Sequence, residues 1–267
     1  MGARSVVTVF CNGQLFTDIH AVFLDKDGTL ANVAAYLSQL GHTQAELMER
    51  QLPGSQDWVL RALGFCHGGL SPSGLLAVGS RQETIVGIAA AAAMVGCPWV
   101  EAMDLARTTL GAADQQHSPK AAYTPLLSGA LEFLGRLRQA GLKIVMVSAD
   151  GQENLEKFVQ HYGLATYFDH LQGVSCQHPA KTSRNFLPAA CQAIDCEPHQ
   201  GLVIGDAASD WQMAQSTRGF IGYLGGWQSP LSKTDILGPA GAAQAGSQGD
   251  LSLARSFATD FSQIRLG

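Results

Sequence analysis

Residues Ala21–Leu30 read AVFLDKDGTL, an apolar run that ends in two aspartates, Asp25 and Asp27, with one lysine between them. The run predicts a short buried strand, and the question is why such a strand should end in two carboxylates. A β-hairpin is one answer, because Asp-Gly flanked by apolar residues is a strong local turn signal. A calcium loop is another, but an EF-hand beginning at Asp25 needs Gly where Leu30 sits and Glu where Tyr36 sits. The calcium loop fails on both counts. The segment alone leaves the hairpin open, and the decision comes from the rest of the chain.

The chain of 267 residues is long enough to bury a large core without disulfide or metal staples. Its formal net charge of -5 argues against broad attraction to nucleic acid or anionic lipid. Six scattered cysteines do not form a secreted disulfide framework and are read as reduced thiols. The start, MGARSVVTVF, lacks the apolar run of a signal peptide, and Val6 occupies the place where myristoylation wants Ser or Thr. The longest uncharged apolar run, Ile85–Val100, is short for a membrane span and contains Pro98. A soluble cytoplasmic protein with no membrane or nucleic-acid partner is expected; oligomeric state is not legible.

Two more apolar runs match the first. Leu142–Val147 stops at Ser148, and Leu202–Ile204 is followed by Gly205 and Asp206. Helical stretches such as Gln152–His161 and Phe186–Ala193 lie between them, and a hairpin around Asn12-Gly13 precedes the first run. This alternation predicts an α/β fold, a Rossmann-like and mostly parallel sheet with sites beyond the carboxyl ends of its strands. Residues 33–120 break the pattern. They are rich in Ala and Leu, and they carry a capping box at Ser80 and Glu83 and helix stops at Gly96 and Pro98. They are expected to form an inserted all-helical domain, with the core made of residues 1–32 and 121–267. The stretch Gly238–Gly249, GPAGAAQAGSQG, has the composition of a loop or linker.

A second acidic group, Gly205–Asp210 (GDAASD), follows the third strand. Asp206 and Asp210 are spaced to share one helix face, although an Asp at a helix start also serves as a cap or favours the dipole. In order, Asp25-Lys26-Asp27-Gly28-Thr29, Ser148, Lys181, Gly205-Asp206 and Asp210 resemble the motifs of the haloacid dehalogenase-like superfamily of phosphotransferases. The resemblance spans the whole expected core, and it is to phosphoglycolate phosphatase-like members with a helical cap of the C1 type. It implies that Asp25 is the nucleophile and Asp27 the general acid and base. Gly28, Thr29, Ser148 and Lys181 would hold the substrate phosphate, and Asp25, Asp27, Asp206 and Asp210 would bind Mg²⁺.

The implied chemistry explains the residue types. A carboxylate can attack a phosphomonoester and form an aspartyl phosphate if the charge is neutralised and the leaving oxygen protonated. Asp27 protonates the leaving alcohol and then deprotonates the hydrolytic water. Gly28 permits the bend that brings backbone N–H groups to the phosphate. Two like charges about 5 Å apart at an effective dielectric of about 20 repel by about 3 kcal/mol, so four aspartates call for a divalent cation and an ammonium. Lys181 is the expected ammonium, as it is the only lysine between Lys157 and Lys233; Arg184 is a reserve, because CQHPAKTSRNF departs from the Lys-Pro context common in the family. Ser148 is either a phosphate ligand or the cap of the following helix. No role is assigned to Asp150.

Lys26 stands where related phosphatases commonly have an apolar residue. Some members with a basic residue there carry a zinc loop, for which Cys176, His178, Cys191 and Cys196 are the candidate ligands here. Their spacing favours buried free thiols over zinc. The expected function is Mg²⁺-dependent hydrolysis of a small phosphorylated metabolite, with the helical insertion as a lid. The alternatives are a sugar phosphomutase of the same superfamily and a noncatalytic scaffold.

Overall fold

The hairpin expected at Asn12-Gly13 forms between β1 (Val7–Cys11) and β2 (Gln14–Ile19), with both turn residues at positive φ. The computed structural model describes residues 7–66, 69–175, 180–227, 231–243 and 253–267. β3 (Ala21–Asp25) follows, with all five residues buried. The chain then runs through α1 (Ala34–Gln51), α2 (Gln56–Leu63), β4 (Phe65–Cys66), β5 (Gly69–Leu70), α3 (Leu75–Val78), α4 (Arg81–Met94) and α5 (Trp99–Gln116). The last part comprises α6 (Ala130–Gln139), β6 (Lys143–Gly151), α7 (Gln152–His161), β7 (His170–Val174), α8 (Phe186–Ala193), β8 (Gly201–Gly205), α9 (Ala208–Met213), β9 (Gly219–Tyr223), α10 (Lys233–Ala243), β10 (Ala254–Ala258) and β11 (Ile264–Leu266).

Two compact units result. One holds the described residues up to Asn32 and from Pro125 onward, and the other is Val33–Thr124. The second extends past residue 120 because it includes the 3-10 turn Lys120–Tyr123, where the Lys120 ammonium lies 5.6 Å from the Tyr36 ring centroid. This unit is helical apart from the two-residue antiparallel ladder of β4 with β5. At α4 the capping box is present: the Glu83 N–H donates to Ser80 Oγ, and the Ser80 N–H donates to Glu83 Oε2. Met48, Val59, Leu63, Ile88, Ala92, Ala106 and Leu110 form the unit's apolar interior.

In the larger unit, six strands pair in the order β10-β9-β8-β3-β6-β7 and all pairings are parallel. Phe23 on β3 registers with Val145 on β6 and Val203 on β8, and all three side chains are buried in one core with Phe186 and Phe220. Helices on both faces account for continuous rather than alternating apolar strands. β1, β2 and β11 form a separate antiparallel sheet.

The connectivity locates the site. From β3 the chain builds outward through β6 to β7, then returns to the other side of β3 and builds β8, β9 and β10. Such a reversal opens a crevice at the carboxyl ends of the strands beside it. The hairpin reading of Asp27-Gly28 is thereby replaced: residues after β3 curl into a local turn, with the Leu30 and Ala31 N–H groups donating to the Lys26 carbonyl. Asn32 then donates to the Pro125 carbonyl at 2.8 Å, so the two connections to the inserted unit leave the core side by side, just after this turn.

Two further differences concern β6 and the tail. β6 runs past Ser148 to Gly151, and its register with β7 shifts between Val147 and Gly151. This bulge re-aims the residues within it, Ser148 and Asp150 among them. Part of the expected linker, Gly238–Ala243, lies in α10, which breaks at Gly238 (φ 71°, ψ 168°) before resuming; Gln244–Gly249 lies outside the described residues, as do Cys176 and His178 of the zinc reading.

Candidate active site

Three carboxylates meet at the crevice. Asp25 ends β3, Asp206 follows β8, and Asp210 occupies the first turn of α9. One oxygen from each lies within 4.8 Å of the other two, and all three residues are buried. The expected shared helix face is corrected by this: Asp206 sits on the strand-to-helix turn, and only Asp210 is helical. Asp210 Oδ2 also accepts from the Ala207 N–H at 3.1 Å, so the capping role and the cluster coexist in one side chain.

Lys181 supplies the ammonium inside this cluster. It donates to Asp25 Oδ1 and, at 2.8 Å, to Asp210 Oδ1, and is itself buried. Arg184, the reserve, is exposed. Burial by itself would lower the Lys181 pKa, but the Asp210 and Asp25 carboxylates outweigh it and raise it above its ordinary value. Asp25 is raised well above the carboxylate range by burial; Lys181 opposes that shift while Asp210 and Asp206 add to it. Asp206 is pushed up to about 6 by burial and by Asp210, against the hydrogen bond from Trp227.

These shifts share one cause. Three ionised carboxylates against one ammonium leave two negative charges uncompensated in a buried place, which is costly. An all-oxygen, net-negative donor set suits Mg²⁺, a hard cation that takes one or two carboxylates along with substrate phosphate. Asp25, Asp206 and Asp210 fit such an ion on that ground.

Asp27 stands apart. Its carboxylate is not in the converging set; Asp27 Oδ1 accepts from the buried Lys26 ammonium, and its side chain is 25% exposed. Lys26 Nζ also lies 3.0 Å from Asp150 Oδ2 and 5.2 Å from the Phe158 ring centroid. Asp150, to which the sequence reading gave no role, is the second carboxylate on Lys26.

The remaining expected phosphate ligands have partners of their own. Thr29 is buried and its hydroxyl donates to Asp206 Oδ1 at 3.3 Å. The Gly28 N–H donates to the Ala31 carbonyl at 2.9 Å, closing the turn instead of presenting that amide. What Gly28 provides is room: at φ 83°, an added Cβ would stand 2.1 Å from Asp206 Oδ2 and 2.8 Å from Trp227 Nε1. Ser148 is buried and its Oγ accepts from the Asp150 N–H at 3.0 Å. It is not the side-chain cap of α7, whose N-cap is Gly151, and an accepting hydroxyl keeps its proton to donate.

Trp227 was missed by sequence reasoning. Its indole N–H donates to Asp206 Oδ2 at 2.8 Å. It follows Gly225-Gly226, beyond β9, in a segment with no periodic pattern, and only the meeting of that loop with the Gly28 turn brings it to the site.

Comparison with known proteins accords with this geometry. Residues 19–216 match the family model described as haloacid dehalogenase-like hydrolase. Among solved structures, a predicted phosphoglycolate phosphatase from Haemophilus somnus 129pt superposes with a TM-score of 0.60 at 16% identity, over 82% of this chain and 92% of that one. A predicted phosphatase from Clostridium acetobutylicum gives 0.58 at 15% identity, over 92% and 96%. A HAD-superfamily hydrolase of subfamily IA from Geobacter sulfurreducens gives 0.52 at 16%, over 77% and 87%. At such identities these likenesses concern the fold. No curated protein matches the chain, and no helix among the described residues is long and apolar enough to cross a membrane. With three quarters of its length matched by the family model and the acidic cluster at the reversal of its parallel sheet, the chain belongs to the haloacid dehalogenase-like hydrolases.

Proposed function

We propose that the chain is a Mg²⁺-dependent phosphomonoester hydrolase acting on a small phosphorylated metabolite. The observation that carries this reading is the division of labour among the acidic residues. Asp25, Asp206 and Asp210 converge with Lys181, while Asp27 is held separately on Lys26.

Asp25 is the nucleophile. Its oxygen attacks phosphorus and gives an aspartyl phosphate as the alcohol departs. Asp27 gives the leaving oxygen its proton, and then takes one from the water that opens the aspartyl phosphate. Lys181 and Ser148 are placed in this reading as donors to phosphate oxygens. Mg²⁺, held by Asp25, Asp206 and Asp210, would offset the charge of the phosphoryl group during transfer. Asp27 is left out of the ligand set because its carboxylate belongs to Lys26. The inserted unit Val33–Thr124 is proposed as a cap that selects the substrate and excludes water.

The test is phosphate release from a panel of phosphorylated metabolites, with and without Mg²⁺. Release that requires the cation and vanishes in D25N is expected. A product that keeps its phosphoryl group would point to a phosphomutase instead, and full activity in chelator would sink the metal assignment.

A further inference from the structure

A lysine is almost never fully buried unless it is paired, and Lys26 is only 1% exposed. It stands between the two reactive aspartates, Asp25 at the end of β3 and Asp27 on the turn that follows. Its ammonium meets Asp27 Oδ1, Asp150 Oδ2 at 3.0 Å and the face of Phe158 at 5.2 Å. Phe158 belongs to α7 and Asp150 to the bulge of β6. The three contacts therefore come from three elements, and two of them are fixed independently of the Asp27 turn.

We propose that Lys26, anchored by Asp150 and Phe158, is a positioning residue that holds the Asp27 carboxylate where proton transfer takes place and keeps it out of the Asp25, Asp206 and Asp210 set. This rests on the reading of Asp27 as acid and base.

The argument is one of competition. Asp27 is two residues from Asp25, and a divalent cation at the neighbouring cluster attracts any carboxylate within reach. A fourth carboxylate on the ion would be lost to acid-base work. The Lys26 ammonium offers a charge-assisted hydrogen bond in the other direction, and such bonds are about twice as strong as neutral ones. An ammonium on a flexible four-carbon stem would not by itself fix a position. Asp150 and the Phe158 face supply the fixation, because they hold Nζ from the sides that Asp27 does not occupy. Misplacement by about 1 Å is enough to cost on the order of 10²-fold in rate. The bulge in β6 acquires a purpose on this reading, since a regular strand at Ser148–Gly151 would not need the register shift that accompanies Asp150.

Three variants of the full chain test the proposal: K26M, which keeps length without charge; D150N, which removes the anchor without touching the Asp25–Thr29 motif; and D27N as reference. Each is assayed with 4-nitrophenyl phosphate, whose leaving group needs little protonation, and with phenyl phosphate, whose leaving group needs more. D27N is expected to lose far more activity on phenyl than on 4-nitrophenyl phosphate. K26M should reproduce this preference with a loss of about 10- to 10²-fold on phenyl phosphate, and D150N should shift it in the same direction to a smaller extent. Should K26M not fold, the D150N ratio decides alone. Equal losses on both substrates in D150N and in any folded K26M overturn the positioning role while leaving Asp27 as acid and base. A D27N variant without leaving-group preference overturns the acid-base reading and the inference with it.

Discussion

Two buried lysines lie beside the same nucleophile, Lys26 next to it in sequence and Lys181 in contact with it from across the fold, and their surroundings differ. Lys181 is enclosed by three carboxylates counted with Asp206, whereas Lys26 has two carboxylates and an aromatic face. The first cluster keeps an excess of two negative charges and the second an excess of one. The carboxylates of the second are partly exposed, at 25% and 20% of their side-chain surface, so water shares in their solvation. Around Lys181, the Asp25 and Asp210 side chains are at 4% or less, and Asp206 as a whole residue is at 7%. On the readings proposed above, one cluster receives a cation and the other holds a side chain still. The same amino-acid types give either result, and the balance of charge against exposure decides which.

The sharpest way to break this comparison is at its catalytic member. D25N should abolish turnover and leave no acid-stable phosphate on the protein, while D27N should slow turnover by about 10² to 10⁴. Equal residual rates in the two variants, measured by steady-state assay and acid quench, would erase the distinction between the clusters. The next largest effect concerns the lysine of the cation-receiving cluster. K181M leaves three buried carboxylates without an ammonium and should destabilise the metal-free chain by about 3–5 kcal/mol. Urea unfolding with Mg²⁺ present should show a smaller loss, because the ion takes over the missing charge. A loss that Mg²⁺ does not reduce would mean that the cluster does not bind it.

Metal affinity sharpens the comparison further. Calorimetric titration should show D206N weakening Mg²⁺ binding more than D210N, since the Asp210 charge is already offset by the Lys181 ammonium, whereas Thr29 and Trp227, which donate to Asp206, are neutral. W227F removes the donor to Asp206 Oδ2 while keeping an aromatic ring, and should cost about 10-fold. Unchanged affinity in W227F would make the indole a packing residue.

Asp169 provides the inverse arrangement and the smallest effect. One carboxylate accepts from Arg138 at 2.7 Å, Lys143 at 3.0 Å and the Ile144 N–H at 2.9 Å. Burial opposes the shift, but the Ile144 N–H and the two cations together lower its pKa below 3.8. A depressed carboxylate stabilises the fold above its unfolded pKa and loses that contribution as pH falls through the folded value. D169N should therefore cost about 1–2 kcal/mol at neutral pH, given that both cations are largely exposed. The difference from the parent, followed by urea unfolding, should shrink only below about pH 4. A gap that persists into acid would assign the effect to packing.

The residues legible in the sequence were those that follow uninterrupted apolar runs. Asp25, Ser148 and Asp206 each close an apolar run, and the strands concerned, β3, β6 and β8, are adjacent in the sheet. Strands β7, β9 and β10 escaped notice because HLQGV, GFIGY and ARSFA mix polar or glycine positions into short runs. In β9 the cause is packing: a Cβ at Gly219 would stand 2.3 Å from the Phe16 ring, and one at Gly222 would stand 2.5 Å from the Phe257 ring. Neighbouring aromatic rings fill the space that strand side chains would have occupied, so the local pattern disappears. Asp150 and Trp227 were hidden for another reason. A bulge aims the first and a loop crossing brings the second, and neither has a periodic signature. The motif names Thr29 without its direction, and its hydrogen bond to Asp206 becomes visible only in the fold.

The order of the strands also governs when the site can come into being during synthesis. β3 leaves the ribosome before either of its partners, β6 and β8, and β8 begins only at Gly201. At about 5–20 residues per second, the wait between β3 and β8 is roughly ten to thirty-five seconds. The unit Val33–Thr124 is contiguous and lies wholly within that interval, so it can fold while β3 is still without its second partner. Asp25 meets Lys181 and Asp210 only after all of this, and the nascent chain therefore carries no buried charge cluster until the segment that completes it has emerged.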